Sequence, residues 1–223
     1  MIKAVIFDMD GLMIDSERVT FDGYKIECGK LGLEMTEEFY KQTLGLPLPS
    51  VFQKYHSRFG QDFPMEKVLE NVHRYMDQLF EQEGVPVKEG VDQLLKYLKA
   101  NGYRTVLATS SNRGRVDKIL GQTGLAAYFD GSICGDEVER GKPDPDVFLK
   151  ACKKAGVEPE EAIVLEDSEA GIWAAYAAGI PVICVPDMKY PEEGFKEKAS
   201  WIVPSLTVVL EMFKSGELAR SGK

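Results

Sequence analysis

Two aspartates, Asp8 and Asp10, flank Met9 just after a short apolar run, and Gly11 follows them. Residues two apart at the end of a strand share a side, so both carboxylates can face one way while Met9 faces the other. Gly11 permits the sharp departure that so crowded a stretch needs. A second acidic pair, Glu166-Asp167, follows another apolar run and precedes Ser168. Four carboxylates gathered at one edge repel one another unless a divalent cation neutralises them. Oxygen ligands with no histidine or cysteine beside them in sequence suit Mg²⁺ better than Zn²⁺, and Mg²⁺ in turn suits a phosphate-bearing substrate. Plainer readings stay open for each segment taken alone. Asp8-Met9-Asp10-Gly11 can be a solvated turn, and Glu166-Asp167-Ser168 a helix cap carrying favourable dipole charges. A calcium loop of the EF-hand kind fails, because its sixth and twelfth positions would be Met13 and Val19.

Two further segments carry candidate chemistry. Thr109-Ser110-Ser111-Asn112 lies where an apolar run gives way to a helical pattern, so its hydroxyls and amides can cradle phosphate oxygens. Ser111 or Asn112 can equally cap the helix, and the two roles are compatible. In Gly141-Lys142-Pro143-Asp144-Pro145-Asp146, a lysine held between glycine and proline is either a fixed point charge for phosphate or a solvated surface lysine. His56 and His73 read as packed or solvated residues rather than ligands, and Trp173 and Trp201 as core. Cys28, Cys134, Cys152 and Cys184 lie far apart with no CxxC pair, which reads as reduced core thiols.

The elements that must position these residues follow from hydrophobic periodicity. Short, nearly continuous apolar runs precede the candidate residues: Ala4–Phe7 before Asp8, 105–108 before Thr109, 162–165 before Glu166, and 182–185 before Pro186-Asp187. Unbroken rather than alternating runs mark strands buried on both faces, as in a parallel sheet. Between them, Val91, Leu94, Leu95 and Leu98 keep helical spacing up to Asn101-Gly102, and Val147, Phe148, Ala151, Cys152 and Ala155 keep it up to Gly156. Residues 170–178 form a small-residue helix closed by Gly179. This order predicts an α/β fold with a doubly wound, Rossmann-like parallel-sheet core. Ligands then bind beyond the carboxyl ends of the strands, where the candidate residues collect. About seventy residues between Asp15 and Gly84 carry no strand pattern, too many for a plain connection. Val68, Leu69, Val72, Met76, Leu79 and Phe80 predict an amphipathic helix there, and Phe21, Tyr24, Ile26, Cys28 and Leu31 a less regular one. Gly45-Leu46-Pro47-Leu48-Pro49 predicts a turn. The expected organisation is a core of residues 1–14 and 85–223 with an all-helical insertion over 15–84.

Bulk properties narrow the partners. The 223 residues carry a formal charge of −9, a field that repels nucleic acid and anionic membranes. No run approaches the roughly 18 apolar residues of a membrane span. The apolar stretch at the start is too short for a secretion signal, so a cytoplasmic protein is expected, with a monomer as the default state.

Taken together, Phe7-Asp8-Met9-Asp10-Gly11, Thr109-Ser110-Ser111, Lys142-Pro143-Asp144-Pro145-Asp146 and Glu166-Asp167-Ser168 resemble the four ordered motifs of the haloacid dehalogenase-like phosphatase superfamily. The insertion looks like the helical cap of its phosphoglucomutase/sugar-phosphatase branch. The resemblance implies that Asp8 attacks phosphorus to give an aspartyl-phosphate, and that Asp10 is the general acid and base. It further implies that Thr109 and Lys142 bind the transferring phosphoryl group. Mg²⁺ would be held by the Asp8 carboxylate, the Asp10 backbone carbonyl and Asp167, with Glu166 beside it. The second aspartate argues against the dehalogenase and P-type ATPase branches. The implied activity is hydrolysis of a small phosphorylated metabolite, a sugar phosphate or similar. A β-phosphoglucomutase-type mutase is the alternative, weakened because Thr20 stands where that branch carries a histidine and residues 46–49 lack its phosphate-gripping cation. A phosphometabolite-binding protein without turnover is a further alternative, opposed by the presence of both aspartates.

Overall fold

The protein, as a computed structural model, is described over residues 1–220. In chain order, β1 (Ala4–Phe7) leads into α1 (Ser16–Lys30), α2 (Glu37–Lys41), α3 (Leu48–Phe59) and α4 (Met65–Glu83). Then come α5 (Val91–Ala100), β2 (Arg104–Ala108), α6 (Arg113–Thr123), β3 (Gly131–Ile133) and α7 (Asp146–Ala155). β4 (Ala162–Glu166), α8 (Glu169–Ala177), β5 (Val182–Cys184), α9 (Glu193–Lys196), β6 (Trp201–Ile202), α10 (Leu206–Ser215) and α11 (Glu217–Arg220) follow. Two compact units form: Met1–Ile14 with Val87–Lys223, and Asp15–Pro86.

The first unit is the doubly wound parallel sheet that the apolar runs predict, in the order β3-β2-β1-β4-β5-β6. Every residue of β1 and β4 is buried, which is why their runs are unbroken. The strand order reverses beside β1, placing the ligand crevice of an open sheet at its carboxyl end. Phe7 pairs with both Leu107 and Leu165, so Asp8 emerges level with Ala108 and Glu166. β3 and β6 carry no long apolar run. They are three and two residues long and only partly buried, so burial imposes no apolar run on them. α5 and α7 bury the expected faces, and Gly156 closes α7 at φ 72°. Trp173 corrects an expectation. α8 turns Gly171, Ile172, Ala174 and Ala175 inward, which leaves Trp173 42% exposed on the other side.

The helical unit packs α1 on α4, burying Val19, Tyr24 and Cys28 of one helix and Val68, Val72, Met76 and Phe80 of the other. Gly23 allows this approach, since a Cβ there would lie 3.1 Å from Val72 Cγ1. Tyr24, Phe39, Tyr40, Tyr55, Phe59 and Phe63 form a chain of ring contacts that fills the remaining space. α1 is a regular helix, yet Ile26 and Leu31 are exposed. The turn predicted over 45–49 ends at Pro47, because α3 starts at Leu48 and accepts Pro49 in its first turn, where a missing N–H costs nothing. His56 lies 3.1 Å from the Phe63 carbonyl, and His73 is exposed. The chain passes between the units at two adjacent points. Asp15 N–H donates to Pro86 O at 2.9 Å, Ile14 bridges to Val87, and Lys88 N–H donates to Met13 O at 2.9 Å. This pairing sets the division after Pro86, two residues beyond the boundary read from the sequence.

Candidate active site

Asp8 leaves β1 with its N–H donated to Leu165 O at 3.0 Å, so the sheet ladder itself delivers the carboxylate to the edge. The side chain is buried, and its Oδ1 accepts from Lys142 Nζ at 2.5 Å. Lys142 spends its other two donors on Ala108 O at 3.1 Å and Glu166 Oε1 at 2.6 Å, with the Phe148 ring 4.8 Å away. At 5% side-chain exposure it is not the solvated lysine of the plainer reading. Burial pushes the Asp8 carboxyl up to about 8; the Lys142 charge works against this and the Glu166 charge with it. Burial also works to discharge Lys142, but the Asp8 and Glu166 carboxylates outweigh it and hold the ammonium above its ordinary range.

Glu166 has an anchoring role that its sequence context does not announce. It is fully buried, and its Oε2 accepts from Asp167 N at 2.9 Å, Ser168 N at 2.8 Å and Ser168 Oγ at 2.9 Å, while Oε1 takes Lys142. Both oxygens are committed to fixing Lys142 and the start of α8. Ser168 also fulfils the capping reading, its Oγ accepting from Gly171 N at 3.1 Å.

Asp10 lies beside Asp8 but has different partners. Ser111 Oγ donates to Oδ2 at 2.7 Å, and Arg115 Nη2 donates to Oδ1 at 2.7 Å. Arg115 is absent from the sequence expectations. The signal that could have found it is electrostatic: α6 has no acid in its first turn but carries Arg113 and Arg115 there, where the helix dipole disfavours cations. Each needs a carboxylate partner, Glu137 for Arg113 and Asp10 for Arg115. Thr109 is buried and its Oγ1 accepts from Ser111 N at 3.1 Å, leaving the hydroxyl proton to donate. Ser110 is exposed, and its carbonyl sits so near Gly135 that a Cβ there would come within 2.2 Å of it. Asn112 Oδ1 caps α6 by accepting from Arg115 N at 2.9 Å, the capping role that the sequence leaves open beside phosphate binding.

Gly11, at φ 80°, brings the turn after Asp10 onto Asp167; a Cβ there would lie 2.2 Å from Asp167 Oδ2. The edge thus gathers Asp8, Asp10, Glu166 and Asp167 against the cations Lys142 and Arg115. Among the described residues no three acidic, histidine or cysteine side chains form a ready-made metal cage. A hard cation that keeps several waters needs only one or two carboxylates with a carbonyl rather than such a cage.

The profile of the haloacid dehalogenase-like hydrolases matches residues 5–185, which includes every one of these side chains. The chain belongs to that family. A relative from Thermotoga maritima, a phosphorylated carbohydrates phosphatase, is 32% identical over 182 residues, or 80% of this chain and 82% of the relative. A hydrolase of the family from Deinococcus radiodurans R1, solved with bound phosphate and sodium, superposes with a TM-score of 0.82 at 25% identity, covering 98% of this chain and 96% of that one. CbbY from Rhodobacter sphaeroides, solved with phosphate, gives a TM-score of 0.72 at 25% identity, covering 93% and 96%. The chain is an enzyme of the phosphatase branch of this family.

Proposed function

We propose that this enzyme is a Mg²⁺-dependent phosphatase that hydrolyses the phosphate monoester of a small metabolite, a sugar phosphate or similar, through an aspartyl-phosphate on Asp8. The single observation that supports it best is the Asp8–Lys142–Glu166 arrangement, a buried carboxylate at a strand end with a cation locked beside it. Asp8 attacks phosphorus as the bond to the leaving oxygen breaks, and Asp10 gives that oxygen a proton. Water then attacks the aspartyl-phosphate, Asp10 takes up the water's proton, and phosphate leaves with the Asp8 carboxylate restored. Ser111 and Arg115 orient Asp10 for both transfers. Lys142 places positive charge beside the phosphoryl group, and the Thr109 hydroxyl offers a donor. Mg²⁺, held by the Asp8 and Asp167 carboxylates and the Asp10 carbonyl, would supply charge compensation for the phosphoryl oxygens.

The carbohydrate-phosphate substrate class rests on the Thermotoga maritima relative. Substrate selection falls to the helical unit Asp15–Pro86, the cap of the resemblance. A mutase is disfavoured from within that unit: the Thr20 hydroxyl donates to Ser16 O at 2.8 Å and lies 3.8 Å from Met76 Sδ, a poor substitute for an imidazole. The same reading places the enzyme in the cytoplasm as a monomer, where small phosphorylated metabolites and reduced thiols are found. The test is hydrolysis of p-nitrophenyl phosphate followed by a panel of sugar phosphates. Turnover is expected with Mg²⁺, and is expected to vanish in EDTA and in Asp8→Asn. Mg²⁺-dependent turnover that survives Asp8→Asn rules out the nucleophile.

A further inference from the structure

Lys88 belongs to none of the four motifs, yet its side chain reaches the turn that carries Asp10. Its Nζ donates to Gly11 O at 2.6 Å and to Asp187 Oδ1 at 2.6 Å, and its backbone N–H donates to Met13 O at 2.9 Å. The turn is therefore held from one residue at two carbonyls. Within it, Gly11 N–H donates to Ile14 O at 3.0 Å, and Met13 and Ile14 N–H both donate to Met9 O. In a trans peptide the C=O and N–H point in opposite directions, so fixing the Gly11 N–H on Ile14 aims the Asp10 carbonyl away from the turn. The Lys88 contact fixes the next peptide plane, and Gly11 is the residue whose α-carbon abuts Asp167. Asp187 lies three residues beyond the end of β5, in a segment tied to the neighbouring strand where Val185 N–H donates to Glu166 O at 2.7 Å. Its Oδ2 is buried and takes no hydrogen bond, so Lys88 is also the charge that makes this carboxylate tolerable there.

We propose that Lys88 is a positioning residue: by clamping the Gly11 carbonyl to Asp187 it fixes the turn that sets Asp10 and abuts Asp167. The inference rests on the phosphatase reading above. It ranks Lys88 with the site although it never touches substrate. A shift of about 1 Å in a reacting group costs on the order of a hundredfold in rate, and a turn of five residues without its clamp can relax by that much.

The experiment compares wild type, Lys88→Met, Lys88→Arg and the double variant Lys88→Met/Asp187→Asn, which removes the stranded carboxylate charge. Each is assayed with p-nitrophenyl phosphate, and Mg²⁺ binding is followed separately by the Mg²⁺-induced rise in melting temperature. Lys88→Met is expected to lose about tenfold or more in kcat with KM changed less than about twofold, and to need several times more Mg²⁺ for half the thermal rise. Its melting temperature in EDTA is expected to fall through the stranded charge; the double variant is expected to recover that stability but not kcat, and Lys88→Arg to recover most of kcat. Wild-type kcat in Lys88→Met, or full recovery of kcat in the double variant, overturns the positioning role while leaving the phosphatase reading intact. A wild-type protein without Mg²⁺-dependent turnover overturns both.

Discussion

Arg115 holds one oxygen of Asp10 while Ser111 holds the other, so the carboxylate is oriented by two donors from one segment of chain. Arg115→Met removes the charged donor but keeps the aliphatic stem. Because both partners are partly exposed, the pair should contribute less than about 1 kcal/mol to folding. Its loss should nevertheless lower kcat for p-nitrophenyl phosphate about tenfold or more through misorientation of Asp10, with little change in KM. Steady-state kinetics beside a denaturant melt check this; an unchanged kcat would remove Arg115 from the site. The sheet-edge placement of Asp8, Asp10, Glu166 and Asp167 could be read from the chain because each pair follows an apolar run that the sheet buries. Arg115 could not, since its meaning depends on a carboxylate 105 residues away that only the sheet brings to it. The anchoring task of Glu166 was hidden for the same reason: nothing in Glu166-Asp167-Ser168 shows which carboxylate turns inward to Lys142.

α8 shows how an element enforces a site. Gly171 lies inside this helix, where alanine ordinarily gains about 0.5–1 kcal/mol over glycine. Here a Cβ would lie 1.9 Å from Glu166 Cδ, so the ordinary sign reverses. Gly171→Ala should lower both the melting temperature and kcat, because the displaced Glu166 carries Lys142 with it. Gly29→Ala, in α1 with no atom within 4 Å of the added carbon, is the control and should raise the melting temperature slightly. Parallel melts decide it; a Gly171→Ala protein as stable and active as wild type would show that Glu166 has room to move. Element types were legible wherever burial was one-sided or complete, as in α4, α5, α7, β1 and β4. They were illegible in β3 and β6, where two or three partly buried residues pair only because longer strands already present an edge.

Across the molecule, the four cysteines sit in different elements but share one environment. All are buried and free, and burial pushes Cys28, Cys134 and Cys152 up to about 11 and Cys184 up to about 12. Thiolate is the reactive form, so a raised thiol is protonated throughout the neutral range. The native enzyme at pH 8 is expected to react with Ellman's reagent far more slowly than the same protein in guanidinium, where four equivalents titrate. A fast native equivalent would reveal a thiol outside the packed interior. The reading of reduced core thiols needed only composition and spacing, whereas Trp173 was misplaced because hydrophobicity alone does not say which side of a helix faces inward.

The paired crossing at Asp15 and Pro86 has a consequence of its own. Because the segment departs and returns within a single 2.9 Å backbone hydrogen bond, its ends are already joined as a hairpin would join them. A segment joined in this way can be lengthened or shortened as one unit, leaving the register of β1 with β2 and β4 undisturbed. Changes of length between Asp15 and Pro86 are thereby absorbed without moving the strand that ends at Asp8.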